Sequence, residues 1–168
     1  MGDVVHRARA LARALHAGQT RKHGTPYVEH PEAVATILAD EYPADVDDTT
    51  LVVALLHDLV EDTAATVRDI AANFGPDVAD DVDALTKRGD EYFAAYAARL
   101  GAATPRARLV KAADRLHNLR EAPLAGDPAW AARYAAQTRD HVLPLVDDPW
   151  FRTRISAAAD ALVDRRAE

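Results

Sequence analysis

The stretch Leu51–Thr63 constrains the fold most, because it joins a long apolar run to a cluster of ionisable side chains. It reads Leu-Val-Val-Ala-Leu-Leu-His-Asp-Leu-Val-Glu-Asp-Thr. As a helix it is apolar around most of its circumference, and such helices are usually buried. Residues one turn apart share a face, so a helix places His57 over Glu61 and Asp58 over Asp62. Because unpaired buried charge is costly, these side chains need a partner, and a metal ion in a cleft is one such partner.

Composition bounds the fold class. The chain has 168 residues, of which 49% are apolar, enough for one domain with a packed core and too few for two. Alanine, the best helix former, dominates the apolar residues, and strand-like patterns are scarce. The absence of cysteine excludes disulfides, zinc-thiolate sites and cysteine nucleophiles, and it is compatible with a reducing cytosol.

Charge and hydropathy limit the kinds of partner that the chain is expected to bind. The formal net charge of −7 argues against non-specific binding to nucleic acid, which needs an extended basic surface. No apolar run approaches membrane-spanning length, and the first residues lack the pattern of a secretory signal. We therefore expect a cytoplasmic protein that binds neither nucleic acid nor membrane.

Capping residues, prolines and glycines predict a single all-α domain, a bundle of about eight or nine helices. A first helix is expected over 3–17, because apolar residues recur there at helical spacing and Gly18 follows. Thr66 and Asp69 resemble a capping pair for a short helix that Gly75 ends. Later starts are predicted at Asp90 (for a helix over 92–100), Thr104-Pro105, Asp127-Pro128 and Asp148-Pro149.

Two histidines and two aspartates on three separate helices form the chemically most suggestive set: His30, the adjacent pair His57-Asp58, and Asp114. Nitrogen and oxygen ligands without thiolate suit Mn²⁺, Fe²⁺ or Zn²⁺, with positions left open for water or substrate. His30 precedes Pro31, which is favoured at the start of a helix, so His30 alone has a plainer interpretation as a capping or surface residue.

Asp114 also has a plainer alternative, since it could be half of an exposed ion pair with Arg115 or Lys111. In favour of a functional role, it lies among small residues that allow close packing. Lys111, Asp114 and Asn118 also fall near one face of their helix, at positions i, i+3 and i+7.

Longer strings around these residues resemble the metal-dependent phosphohydrolase superfamily that is named for its HD motif. More specifically, they resemble the hydrolase domain of RelA/SpoT-type enzymes, and most of all the stand-alone small alarmone hydrolases. The strings are Gln19–Pro31, Ala54–Thr63, Phe74-Gly75, Leu85–Lys87 and Val110–Arg120. The resemblance covers about residues 3–146. With a C-terminal helix over 149–166, it implies the HD-domain fold and one HD-type hydrolase domain over 1–168.

The resemblance implies a metal centre and an acidic pair. Glu61 and Asp62 match the pair that positions or activates the attacking water. One Mn²⁺ is the implied ion, with other transition metals possible. The residues that match the family's metal ligands are His30, His57, Asp58 and Asp114.

The resemblance also implies a small-molecule nucleotide substrate. Arg21 matches the residue that packs against the purine base, Lys22 a phosphate contact and Asn118 a ribose contact. Lys111 is a further phosphate contact in this interpretation. The implied reaction is metal-dependent hydrolysis of the 3′-pyrophosphate of guanosine tetra- or pentaphosphate, giving GDP or GTP and pyrophosphate. The implied assembly is a monomer or a homodimer.

Two departures from the family pattern keep alternatives open. Glu121 stands where long bifunctional members commonly have threonine, and Ala112 stands where leucine is usual. Because Glu121 leaves the base undetermined, the alternative substrates are adenosine alarmones or another nucleotide phosphate or pyrophosphate. A non-catalytic nucleotide sensor is the alternative from a different class of protein.

The remaining histidines and aromatic residues are expected to have structural roles. The histidines near the motifs are expected to be structural or solvent-facing, and the later aromatic residues to lie in the core or at a subunit contact. These residues are His16, His23 and His117, and Trp130, Tyr134, Trp150 and Phe151.

Overall fold

The computed structural model describes residues 2–122 and 127–164, and it is built almost entirely of helices. Within this part of the chain the β-structure is limited to one isolated antiparallel bridge between Thr20 and Pro26. The prediction of an all-α fold is confirmed. The α-helices are α1 (Asp3–Leu15), α2 (Glu29–Thr36), α3 (Asp48–Leu56), α4 (Leu59–Asp62), α5 (Val67–Phe74), α6 (Pro76–Leu85), α7 (Phe93–Gly101), α8 (Pro105–Glu121), α9 (Pro128–Gln137) and α10 (Pro149–Asp164).

Short helical extensions follow two of these helices. A π-helical turn, Ile37–Glu41, continues α2. Another, Thr138–Val142, continues α9 and leads into the 3₁₀ turn Leu143–Leu145. None of the helices in the described residues is both long and apolar enough to span a membrane.

Most of the predicted helix starts are present, with the expected caps. Thr66 and Asp69 form a complete capping box, in which each side chain accepts a hydrogen bond from the other residue's backbone N–H. Gly75 ends α5 with φ of 92°, a conformation that favours glycine. The side-chain oxygens of Thr104, Asp127 and Asp148 also accept hydrogen bonds from backbone N–H groups at the starts of α8, α9 and α10.

Two predicted boundaries differ from the structure. The first helix ends at Leu15 rather than at residue 17. Asp90 does not cap α7, which begins at Phe93 without a side-chain cap. The preceding turn is organised by Glu91 instead, whose carboxylate accepts the Arg88 backbone N–H at 3.2 Å. The last helix is described to residue 164, and the predicted residues 165–166 lie outside the described part.

The stretch Leu51–Thr63 is not one continuous helix. Leu51 through Leu56 are each at most 6% exposed, as expected for a helix that is apolar all round. The helix ends there, His57 and Asp58 form a turn, and Leu59 begins the single turn α4. The predicted helix is therefore two helices, and the site residues lie at the break between them.

The fold is organised around α3. This helix packs against α1, α2, α6 and α8, and α8 packs in turn against α2 and α10. The start of α2, the end of α3 and the middle of α8 therefore meet in one place. These three positions carry His30, His57 and Asp114.

Candidate active site

The four predicted metal ligands lie together. His30 Nε2 lies 3.1 Å from Asp114 Oδ1 and 3.4 Å from Asp58 Oδ2. His57 Nε2 lies 3.1 Å from Asp58 Oδ1 and 3.8 Å from Asp114 Oδ1. His30, His57 and Asp114 are at most 4% exposed, and one ligand atom from each lies within 4.8 Å of the others. Two imidazoles and two carboxylates in this arrangement suit a divalent cation.

The hydrogen bonding of His57 fits a metal ligand. Its Nδ1 lies 2.7 Å from the backbone carbonyl of Ala54, a pure acceptor, so Nδ1 must carry the proton and donate it. In neutral imidazole, Nε2 is then left with a free lone pair. This buried Nε2 makes no hydrogen bond to any residue that the structure describes, and it faces two carboxylates. A ligating histidine held by a backbone carbonyl typically has this geometry.

His30 is oriented by a second histidine. Its Nδ1 lies 2.9 Å from Nδ1 of His117, so one of the two nitrogens donates to the other. Burial and the adjacent His30 lower the pKa of His117 to about 4, which keeps its ring neutral and able to accept. With His30 Nδ1 as the donor, His30 Nε2 presents its lone pair to Asp58 and Asp114. The sequence predicts only a structural or solvent-facing role for His117 and does not reveal this contact with His30.

Asp114 is held by its neighbours on α8. Its Oδ2 lies 2.7 Å from Lys111 Nζ, and its Oδ1 accepts Asn118 Nδ2 at 2.5 Å. Burial alone would raise the pKa of Asp114, but Lys111 and the histidines hold it well below its usual value. The predicted shared face of these three residues is therefore present. The alternative, an ion pair between Asp114 and Lys111, is also present, but the pair is buried and not exposed as that alternative predicted.

Tyr27 connects Asp58, a predicted ligand, to the acidic pair. Its hydroxyl lies 2.8 Å from Asp58 Oδ2 and 2.5 Å from Asp62 Oδ2. Burial and the charge of Asp58 raise the pKa of Asp62, while the Tyr27 hydroxyl opposes that rise. The Gln19 side chain donates to the Asp62 carbonyl at 2.8 Å and ties the loop before α2 to α4. The sequence alone assigns no function to Tyr27, although it lies within the motif Gln19–Pro31.

Glu61 faces the solvent side of the site. Its Oε2 accepts the backbone N–H of Lys87 at 2.8 Å. Partial burial and the charges of Asp58 and Asp62 raise its pKa. A carboxylate with a raised pKa, more exposed than the ligands, is suited to accept a proton from water.

A cleft of about 300 Å³ lies beside the four predicted ligands, although none of them lines it. Tyr27 and Asn118 line the cleft and also hydrogen-bond to predicted ligands, Tyr27 to Asp58 and Asn118 to Asp114. Arg21 Nη2 donates to Asn118 Oδ1 at 2.7 Å and is paired with the carboxylate of Glu121. The residues that line the cleft are Thr20, Arg21, Lys22, His23, Tyr27, Asn118, Glu121, Ala122, Trp130 and Tyr134.

Three of the four predicted substrate contacts line this cleft: Arg21, Lys22 and Asn118. Lys111 does not line it. Its ammonium pairs with Asp114 and lies 5.2 Å from the centre of the Tyr96 ring. Burial lowers the pKa of Lys111, but Asp114 and Tyr96 more than offset this, and the group stays charged.

Two aromatic residues of α9 also form part of the cleft wall. Trp130 and Tyr134 are stacked, with ring centres 4.9 Å apart and an angle of 14° between their planes. Lys22 Nζ lies 4.9 Å from the centre of the Trp130 ring. Both rings pack against the core, as expected, and they also face the cleft, which the sequence interpretation missed. A helical pattern shows that such residues are partly buried, but not which cavity they border.

Comparisons with known proteins place the chain in a well-defined group. A family model described as HD domain matches residues 8–142. The chain is 41% identical over 152 residues to a probable GTP pyrophosphokinase of Mycobacterium leprae, covering 85% of this chain and 19% of that protein. It is 39% identical over 126 residues to the bifunctional (p)ppGpp synthase/hydrolase SpoT of Escherichia coli K12, covering 69% of this chain and 18% of that protein. The chain thus spans about a fifth of the length of these relatives.

A solved structure matches along nearly the whole of both chains. It is described as a metazoan ortholog of SpoT that hydrolyzes ppGpp and plays a role in starvation responses. Its TM-score is 0.81 at 29% sequence identity, and the match covers 99% of this chain and 97% of that one.

Proposed function

Because the chain belongs to the HD domain family, we propose that it hydrolyses the 3′-pyrophosphate of guanosine tetra- or pentaphosphate. The products are GDP or GTP and pyrophosphate. Relatives named for this activity, and a solved structure described as hydrolysing ppGpp, support the proposal. One observation carries it: two histidines and two aspartates, three of them buried, lie together, and Tyr27 and Asn118 connect them to a cleft lined by arginine, lysine and aromatic rings.

We propose that His30, His57, Asp58 and Asp114 hold one divalent cation, with Mn²⁺ as the expected ion. The unpaired Nε2 of His57 and the hydrogen-bonded carboxylate of Asp114 support this assignment. A bound cation would supply positive charge to the phosphoryl group and make a nearby water more acidic.

The other side chains have separate tasks in the proposed reaction. Arg21 and Lys22 bring positive charge to the cleft, where an anionic nucleotide needs it. Glu61, with its raised pKa, accepts the proton of the attacking water. Asp62, held beside Asp58 by the Tyr27 hydroxyl, orients that water. The main contribution of such a site to phosphoryl transfer is positioning and charge.

The setting follows from the same proposal. The substrate is a small-molecule nucleotide, and we propose that the chain acts in the cytoplasm as a monomer or a homodimer. Size-exclusion chromatography with light scattering tests the assembly directly, because a trimer or larger species would contradict it.

The test of function is pyrophosphate release from ppGpp by the purified chain with Mn²⁺. We expect His57→Ala to lose both Mn²⁺ binding and activity, because alanine has no ligand atom to replace Nε2. His6→Ala, on the exposed face of α1, is the matched control and should behave as the unmodified chain. The proposal fails if the unmodified chain releases no pyrophosphate from ppGpp. It also fails if His57→Ala retains full activity.

A further inference from the structure

Glu121 presents a carboxylate with unused hydrogen-bonding capacity to the cleft. Among the described residues that line the cleft, it is the only acidic side chain. Its Oε2 is paired with Arg21 and lies 3.7 Å from His117 Nδ1. Its Oε1 makes no hydrogen bond to the described residues, and His23 Nε2 lies 3.5 Å from it. A carboxylate has about four lone-pair sites, so this group can accept more donors than it has.

The cleft around this carboxylate has the shape and chemistry of a base-binding slot. The Arg21 guanidinium is planar and lies 5.7 Å from the centre of the Tyr27 ring. The stacked rings of Trp130 and Tyr134 provide another flat wall. Aromatic and guanidinium planes bind bases by stacking, but stacking accepts every base. Selectivity must come from a polar group that contacts the edge of the base.

We infer that Glu121 selects guanine by accepting hydrogen bonds from its Watson–Crick edge, an inference that rests on the proposed function of this site. Guanine offers two adjacent donors there, N1–H and the 2-amino group, which match the two oxygens of a carboxylate. Hypoxanthine retains N1–H but lacks the amino group. Adenine offers its 6-amino donor next to N1, an acceptor that a carboxylate repels. Arg21 offsets the charge of Glu121, so the carboxylate does not drive away an anionic nucleotide.

Binding of the diphosphates tests this inference without requiring turnover. The dissociation constants of GDP, IDP and ADP are measured by isothermal titration calorimetry for the unmodified chain. IDP differs from GDP only in lacking the 2-amino group. A lost hydrogen bond to a charged acceptor corresponds to about 10-fold or more in affinity, so GDP should bind at least about 10-fold more tightly than IDP. ADP should bind more weakly still.

Substitutions separate base selection from a structural role. Glu121→Gln presents one acceptor and one donor, the pair that suits adenine. It should lower the preference for GDP over ADP by about 10-fold or more. Glu121→Asp retains the carboxylate and should keep the order of preference. Glu41→Gln is the matched control, because it removes the same charge from an exposed pair with Arg120 and should change no ratio.

The outcomes distinguish the inference from the proposed function. Equal affinities of the unmodified chain for GDP and IDP, or no binding of any of the three, would overturn the inference. An equal weakening of all three nucleotides by Glu121→Gln would also overturn it, since Glu121 would then merely hold Arg21. Failure to release pyrophosphate from ppGpp refutes the proposed function instead, while base selectivity in binding can still be measured.

Discussion

Removing one oxygen atom from Tyr27 tests whether the link between Asp58 and Asp62 matters for the reaction. The Tyr27 hydroxyl lies within 2.8 Å of both carboxylates, but a phenol carries only one proton to donate. Tyr27→Phe removes that donor and leaves two neighbouring carboxylates without a bridge. The ring stacks on His16, with centres 4.7 Å apart, and phenylalanine retains this contact. We therefore expect the fold to persist while the site loosens.

The size of the effect follows from the chemistry of the lost contact. A hydrogen bond to a charged group contributes about 1.5–3 kcal/mol, and 1.4 kcal/mol corresponds to about a factor of ten. Loss of a partner that orients a metal ligand typically costs about 10- to 100-fold in metal affinity or activity. We expect Tyr27→Phe to reduce the catalytic efficiency on ppGpp by about 10- to 100-fold.

The assay divides this loss between metal binding and rate. Initial rates of pyrophosphate release are measured against Mn²⁺ at fixed ppGpp, and then against ppGpp at saturating Mn²⁺. The loss of the hydrogen bond to Asp58 should appear as a requirement for more Mn²⁺ to reach the maximal rate. The loss of the hydrogen bond to Asp62 should persist at saturating Mn²⁺, as a lower kcat with little change in KM, because Asp62 is not one of the proposed ligands.

The matched control is Tyr42→Phe. Its hydroxyl also donates to an aspartate, Asp148, at 2.8 Å, but this pair lies outside the site and its cleft. Tyr42→Phe should retain the kinetics of the unmodified chain. If Tyr27→Phe has an unchanged kcat and Mn²⁺ response, or if both variants lose activity equally, the assignment of Tyr27 is wrong.

Two further substitutions test catalysis and stability. Glu61→Gln should bind Mn²⁺ normally but lose about 10²- to 10⁴-fold in kcat, as expected for the loss of a general base. The control Glu29→Gln, at an exposed residue, should keep the kcat of the unmodified chain. Equal kcat values for the two variants would remove Glu61 from the mechanism. Asp81→Ala should lower the free energy of unfolding in urea by about 2–3 kcal/mol, because Asp81 is 1% exposed and pairs with the partly exposed Arg106. Asp83→Ala, at an exposed pair, should cost about 1 kcal/mol or less, and a similar cost for both would contradict this ranking.

The order of the helices was predictable because their ends are set by local chemistry. The capping box at Thr66 and the glycine at 75 act through backbone groups within a few residues, so their effect can be seen in the sequence. The break after Leu56 could not be predicted in this way. His57 and Asp58 keep right-handed helical dihedral angles, and neither proline nor glycine marks the position. Hydrophobic periodicity does not report such a break.

The residues that surround the proposed metal ligands were the least predictable part of the site. His30 and His117 are 87 positions apart, and Tyr27 and Asp58 are 31 apart. Each contact joins residues that lie in or next to α2, α4 and α8. The identity of one side chain in a motif does not show which distant residue it will contact. The resemblance to a family indicated the residue types at the centre, whereas the supporting hydrogen bonds required coordinates.

The charge balance of the site gives Lys111 a purpose that does not depend on touching the substrate. Asp58 and Asp114 carry two negative charges and the buried Lys111 carries one positive charge, which leaves a net charge of −1. A divalent cation would change the sum over these three side chains to +1, before Glu61 and Asp62 are counted, and a more positive sum attracts a pyrophosphate group more strongly. Without Lys111 the cation and the two carboxylates would sum to zero. Its ammonium thus favours an anionic substrate through the field of the site, even while it is paired with Asp114.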